Sequence, residues 1–228
     1  MKANRTHALR LAALVAVALL LGGCETPRKI YDYTEYKEAR PASILVLPPL
    51  NSSPDVDATY SMMSVTTAPL AESGYYVFPV TMVAETFKQN GLTSASDIHG
   101  VSINKLREIF GADAALYINV KQYGTSYIVI SSETRVTAEA RLVDLRSGKT
   151  LWTGAATASS AEGNNNSGGG VIGLLVKAAI RQIIETVNSQ GHVIAARTGA
   201  RLLTAGAPNG ILYGPRSSKY LKEGLPAQ

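Results

Sequence analysis

The chemistry available to this 228-residue chain begins with one thiol. Cys24 is the sole cysteine, so the chain holds no second thiol for a disulfide. It follows Leu21-Gly22-Gly23. An aliphatic residue, two small ones and a cysteine form the pattern of a bacterial lipobox. In that chemistry the thiol takes a diacylglyceryl group and the peptide bond before it is then cut. Small residues beside the thiol let the chain lie extended in the peptidase. The preceding residues agree: Lys2, Arg5 and Arg10 stand without an acid, and Leu11–Leu21 is an unbroken apolar run. A basic segment, a short apolar run and small residues at the cut make a secretory signal. The run is shorter than the roughly 20 residues of a membrane-spanning helix. Residues 1–23 are therefore expected to be removed, leaving acylated Cys24 as the lipidation site and first mature residue. Secure anchoring takes more than one acyl chain, which a mature bacterial lipoprotein cysteine carries. Glu25 follows the cysteine where Asp would favour the inner membrane. The expected location is thus the outer membrane on its periplasmic face, with surface exposure left open.

Other reactive side chains offer less. His7 leaves with the signal, and neither His99 nor His192 has a Cys or His at ligand spacing, so no zinc site is expected. His99, beside Gly100, reads as a loop residue. The Gly-x-Ser-x-Gly elbow and the His-Glu-x-x-His motif are both absent from the sequence. Asp55 and Asp57 could pair as carboxylates, but their place between Pro54 and a helix start makes them caps. Residues 163–170, Gly-Asn-Asn-Asn-Ser-Gly-Gly-Gly, precede a helical pattern as phosphate-cradling loops do. Such a loop needs Lys-Ser/Thr after its last glycine, and Val171-Ile172 stands there instead. A mobile loop that orders on a partner fits better. Trp152 reads as a core anchor. No catalytic residue, metal ligand or cofactor contact is predicted, and an enzyme is not expected.

Several elements must carry these residues. Residues 24–42 are charged, with Tyr31, Tyr33 and Tyr36 interleaved, and read as a tether. A single domain is expected over 43–215, followed by a polar tail over 216–228. Ile44–Leu47 is continuously apolar, as in a strand covered on both faces, and Pro48-Pro49 ends it. One helix is predicted over 58–68, a short strand over 75–79, a helix capped by Thr81, and an amphipathic helix spanning Ile98 to Phe110. A strand follows at Ala114–Gln122. Ser126–Ile130, Thr134–Leu145 and Thr150–Ala158 then alternate in the manner of antiparallel strands, the last two joined by an Arg146-Ser147-Gly148-Lys149 turn. The expected fold is α/β, a mixed sheet flanked by helices. Ile172, Leu175, Val176, Ala179, Ile180, Ile183, Ile184 and Val187 form a helical stripe. Gly191 interrupts before a last helix over 192–205. The segment from Asn209 to Pro215 reads as a short edge element pinned to the domain.

Charge excludes one class of partner. Once the signal is removed, 19 Lys/Arg face 17 Asp/Glu, and residues 163–228 alone hold 7 against 2. That suits an acidic partner or anionic lipid at the C-terminal end, or simply a solvated helical face. No dense basic patch is present, so nucleic acid is not expected.

Five stretches carry a family likeness: Ser-Ile-Leu-Val-Leu-Pro-Pro-Leu-Asn (43–51), Gly-Tyr-Tyr-Val-Phe-Pro-Val (74–80), Phe-Gly-Ala-Asp-Ala (110–114), Val-Asp-Leu-Arg-Ser-Gly-Lys-Thr-Leu-Trp (143–152) and Gly-Ile-Leu-Tyr-Gly-Pro (210–215). Through them the chain resembles a family of Gram-negative lipoproteins typified by a neisserial vaccine-candidate antigen. At fold level it is similar to the N-terminal domain of TolB, to CsgG and to LpoB. The resemblance implies a mixed sheet flanked by helices, no catalytic residues, and action through protein contacts in the envelope. The implied partners are other envelope lipoproteins, a CsgG-like one among them; a homo-oligomer is left open. Strands of about 9–11 residues with a lipid-facing apolar row are not apparent, so a pore is not expected. A pocket lined by Tyr117, Tyr127 or Trp152 would instead suit peptidoglycan fragments or another small ligand.

Overall fold

The computed structural model describes residues 31–128, 131–162 and 190–222. Cys24, the loop 163–170 and the helix expected over 171–187 lie outside the described residues. Strands β1 (Ser43–Val46), β2 (Leu50–Asn51), β3 (Tyr76–Val77), β4 (Ala114–Ile128), β5 (Ser131–Asp144) and β6 (Thr150–Ser159) form one sheet. Its order is β3-β1-β4-β5-β6, with β2 also paired to β4. β1 runs parallel to β3 and β4, and β2 parallel to β4. β4, β5 and β6 form an antiparallel meander. The helices are α1 (Thr34–Ala39), α2 (Ala58–Ser64), α3 (Thr67–Glu72), α4 (Val80–Gln89), α5 (Ala95–His99), α6 (Ile103–Phe110) and α7 (Gln190–Leu203). This is the α/β mixed sheet with flanking helices that the sequence predicts.

Both faces of β1 are buried, as its unbroken apolar run requires. Leu45, Leu47 and Ala115 pack with Val83, Phe87, Ile98 and Leu106, which α4, α5 and α6 bring to one face. By alternation, Ile44, Val46, Leu116, Ile118 and Leu142 serve the other, all at most 1% exposed. There α2, α3 and α7 pack, and Thr198 of α7 donates to the Val136 carbonyl at 3.2 Å.

Several elements differ from expectation for definable reasons. Ala114–Gln122 and Ser126–Ile130 are not two strands; β4 is continuous through Ile128. A bulge between Val120 and Gln122 leaves three residue steps between the inward-facing Val120 and Tyr123, which breaks the two-residue alternation. The helix over 58–68 is two, α2 and α3, with Pro69 in the first turn of α3, where its missing N–H is not needed. The helix from Ile98 to Phe110 is also two. Each has a serine cap: Ser94 accepts from the Asp97 N–H at 3.0 Å and Ser102 from the Lys105 N–H at 3.4 Å. Pro79, not Thr81, occupies the N-cap position of α4. Gly191 falls inside α7 as described. A Cβ there would lie 2.8 Å from the Tyr123 hydroxyl, so the residue is small because β4 comes close.

The tether is shorter than the sequence suggests, because α1 packs on the domain with Tyr36 only 3% exposed. The 210–215 motif is pinned as expected, although it forms no strand. Its backbone is instead satisfied by side chains and by a neighbouring turn. Tyr33 donates to the Gly210 carbonyl at 2.5 Å, Tyr75 to that of Leu212 at 2.7 Å, and Trp152 Nε1 to that of Asn209 at 2.9 Å. Tyr36 and Tyr75 meet hydroxyl to hydroxyl at 2.8 Å. The Gly214 N–H donates to Ser73 and that of Arg216 to Gly74, at 2.8 and 3.1 Å. Gly74 has φ +98°, and a Cβ on it would lie 2.5 Å from the Ser217 nitrogen, so only glycine fits. The tail also begins on the domain: Arg216 stacks on Tyr76 at 5.3 Å and Lys219 on Tyr213 at 5.4 Å.

Removing one hydroxyl tests this strap. Tyr75→Phe removes the donor to the Leu212 carbonyl and the hydroxyl contact with Tyr36, and the expected cost is about 1–3 kcal/mol in urea denaturation. Tyr60→Phe, at a side chain 67% exposed, should leave the transition where it is.

Candidate functional site

The cover over the sheet is uneven. Pro48-Pro49 ends β1, and α4, α5 and α6 lie over the first part of one face only. Past His99, at the end of α5, that face continues across β2, β4, β5 and β6 as an open trough of about 750 Å³. Register sets its floor. Tyr117 of β4 pairs with Arg141 of β5 and Asn119 with Glu139, while Arg141 and Glu139 in turn oppose Thr153 and Ala155 of β6.

Contacts fix the polar groups. The Arg141 guanidinium lies 4.8 Å from the centre of the Tyr117 ring, a cation–π distance. His99 meets the same ring edge-on, centroids 5.2 Å apart. Its Nε2 is 2.9 Å from the Pro48 carbonyl; a carbonyl only accepts, so Nε2 carries the proton and Nδ1 keeps its lone pair. Ser52 donates to Asn119 Oδ1 at 3.0 Å, which turns the amide nitrogen of Asn119 away as a donor. Lys121 and Glu139 pair at 3.5 Å. Burial pushes the His99 imidazole below its ordinary range; the bond to Pro48 opposes this and the Arg141 charge adds to it. Burial likewise raises the Tyr117 phenol against the pull of Arg141. The trough therefore offers an aromatic floor, a fixed cation and an oriented amide, which is binding chemistry.

A second cluster joins α2, β4 and α7. Tyr123 donates to Ser61 Oγ at 2.9 Å, and Ser61 Oγ lies 2.9 Å from His192 Nδ1. A serine against a histidine is the geometry of an activated nucleophile. Here the Ser61 hydroxyl is held between the Tyr123 phenol and the His192 ring, and the three residues tie α2, β4 and α7 together. These residues stand far apart in the chain, and no local pattern announces the contact. Burial lowers the His192 pKa.

The residues singled out from sequence fall as follows. Tyr117 lines the trough. Trp152 is 1% exposed, on the opposite side of the sheet from the trough, a core anchor as expected. The Tyr127 side chain lies outside the described set. His99 closes a helix and is not a loop residue. Asp57 occupies the N-cap position of α2 but makes no side-chain cap bond; Asp55 Oδ1 instead accepts from the Asp57 N–H at 2.9 Å, a local turn. Among the described residues, no group of three or more His, Cys, Asp or Glu could hold a metal ion, and no helix is long and apolar enough to cross a membrane. Sequence reading missed Arg141, Asn119 and Glu139, which join Tyr117 only through strand register.

A family model described as "GNA1162-like: Putative lipoprotein GNA1162-like" matches residues 31–216. The chain belongs to this GNA1162-like family. It is 52% identical over 203 residues to the "Putative lipoprotein NMB1124/NMB1162" of Neisseria meningitidis serogroup B, covering 89% of this chain and 94% of that one. The crystal structure of lipoprotein GNA1162 from Neisseria meningitidis is 58% identical and covers 64% of this chain and 100% of its own, with a TM-score of 0.52. The LpoB C-terminal domain from Salmonella enterica is 17% identical and covers 56% of this chain and 98% of its own, with a TM-score of 0.34. The five motifs of the GNA1162-like resemblance lie at joints of the fold. They span β1 through β2, β3 with its flanking turns, the closure of α6, the β5–β6 turn and the strap.

The two histidines set a pH dependence. Both have folded pKa values below 6.5, so as pH falls the unfolded chain takes up protons first. Stability is full above about pH 7 and falls as pH drops through the unfolded value toward the folded ones. Thermal midpoints should drop between about pH 7.5 and 5.5, and drop less in a His99→Gln/His192→Gln protein. An equal drop in both would count against these two side chains as the source.

Proposed function

We propose that this protein is a lipid-anchored component of the cell envelope, held in the outer membrane by acylated Cys24 with its domain on the periplasmic side. There it acts as a non-catalytic protein-interaction module among envelope lipoproteins. The observation that carries the reading is the open trough: among the described residues the sheet is uncovered on one face where its neighbouring half is covered, and presents there an arginine held over a tyrosine ring and an oriented amide. Membership of a family of putative lipoproteins and the Leu21-Gly22-Gly23-Cys24 pattern support the anchor. A second reading, a binding module for peptidoglycan fragments or another small ligand, draws on Tyr117 in the floor of the trough; its volume lies within the usual range of ligand sites.

Two experiments test this. Cys24→Ala should abolish palmitate labelling and leave uncleaved precursor; unchanged labelling would refute the anchor. Crosslinking in intact envelopes, then detergent solubilisation and pull-down, should recover specific protein partners through a photoreactive residue placed at Asn119. A protein that crosslinks to nothing there, yet shifts its melting temperature with muropeptides, would favour the small-ligand reading.

A further inference from the structure

Charge within the trough is not balanced. Lys121 and Glu139 neutralise each other, and the neighbouring imidazole of His99 is held by the Pro48 carbonyl. Arg141 is exposed and stands in none of the ion pairs among the described residues. Its Cζ lies 4.8 Å from the centre of the Tyr117 ring, so the guanidinium is held over the floor of the trough, and no acidic side chain among the described residues takes its N–H groups. A guanidinium edge matches a carboxylate with two parallel hydrogen bonds. Two residues along β4, on the same face as Tyr117, Asn119 offers an amide donor whose orientation Ser52 sets.

The dimensions say what else the ligand carries. The trough crosses β2, β4, β5 and β6. Neighbouring strands lie about 4.8 Å apart, so it is about 14 Å long, which an extended chain fills with about four residues. A free carboxylate would fill a small part of it. Leu50 and Ala155 provide apolar contact toward its two ends.

We propose that the trough binds an extended segment of a partner protein, about four residues long, that places an acidic side chain on Arg141 and a backbone carbonyl on Asn119, with apolar neighbours against Leu50 and Ala155. This rests on the trough being the contact surface of an interaction module and names the chemistry of the partner.

Full-length lipidated protein in detergent micelles is titrated with acetylated, amidated tetrapeptides that carry one Glu among Ala, Leu and Tyr, and with the same peptides carrying Gln. Dye anisotropy reads binding. The Glu peptides should bind about tenfold or more tightly than their Gln counterparts, as a hydrogen bond to a charged group implies. Arg141→Gln should erase that difference, and Arg141→Lys, which keeps the charge without the paired edge, should retain part of it. Added salt should weaken the Glu peptides selectively. Equal binding of the Glu and Gln sets, or none of either up to about 10 mM, a level at which even weak peptide contacts register, would overturn the proposal. So would glutarate binding as tightly as the best peptide, which would point to a small solute. Crosslinked partners that Arg141→Gln protein still captures would sink the acidic-segment proposal alone and leave the interaction module standing. Loss of all capture by wild-type protein would remove both.

Discussion

Everything in this domain depends on β4. One edge of that strand pairs parallel with β1 and β2, and the other pairs antiparallel with β5. A parallel neighbour requires a crossover that leaves the sheet and returns, and the crossover deposits helices on the faces. An antiparallel neighbour requires only a turn. Five helices therefore fall in the parallel half, between β2 and β4, while the meander from β4 to β6 brings none of its own. α7 covers one face of the meander. The other face becomes the trough, a direct result of mixed strand direction.

A second constraint is the satisfaction of backbone polar groups without a ladder. The strap from Asn209 to Arg216 lies against the domain but is no strand. Its carbonyls are taken by Tyr33, Tyr75 and Trp152, side chains from three separate elements. Buried peptide groups must find partners, and aromatic side chains with a polar tip supply them while filling apolar volume. Similar logic acts at Asp144. Burial alone would raise its pKa, yet donors from Ser147 and Arg146 together hold it below its ordinary value. The turn between β5 and β6 is thereby organised around one carboxylate.

Much of the fold was legible where a local rule acts alone. Ile44–Leu47 is apolar on both faces because both are covered. Thr134–Leu145 alternates because its two faces differ. Of Val193, Ala196, Ala200 and Leu203, expected inward at helical spacing, the last three are buried and Val193 is half-buried. Reading failed where two rules compete. The bulge at Lys121 breaks an alternation that the strand itself continues. One helical run was expected over 58–68, and the chain instead starts a second helix there that takes Pro69 into its first turn. Gly191, read only as a break, is also a close approach to Tyr123. The trough was the least legible part, since Tyr117 was visible only as an aromatic residue. Arg141, Asn119 and Glu139 gain meaning from cross-strand register, which sequence spacing does not encode. Trp152 was readable because a lone large aromatic on an alternating strand has few places to go.

The strap also has a mechanical consequence. α1 is the described element nearest the amino terminus. Its Tyr36 is coupled through Tyr75 to Leu212, and the adjoining Tyr33 is bonded to Gly210. The two ends of the described chain are thus stitched to each other as well as to the sheet, which Trp152 reaches from β6 and Lys149 from the β5–β6 turn. Any tension on the chain ahead of α1 would load those hydroxyl contacts side by side, together with the Lys149–Glu35 pair. The domain would yield first as a clasp letting go, with the sheet and its trough still intact behind it.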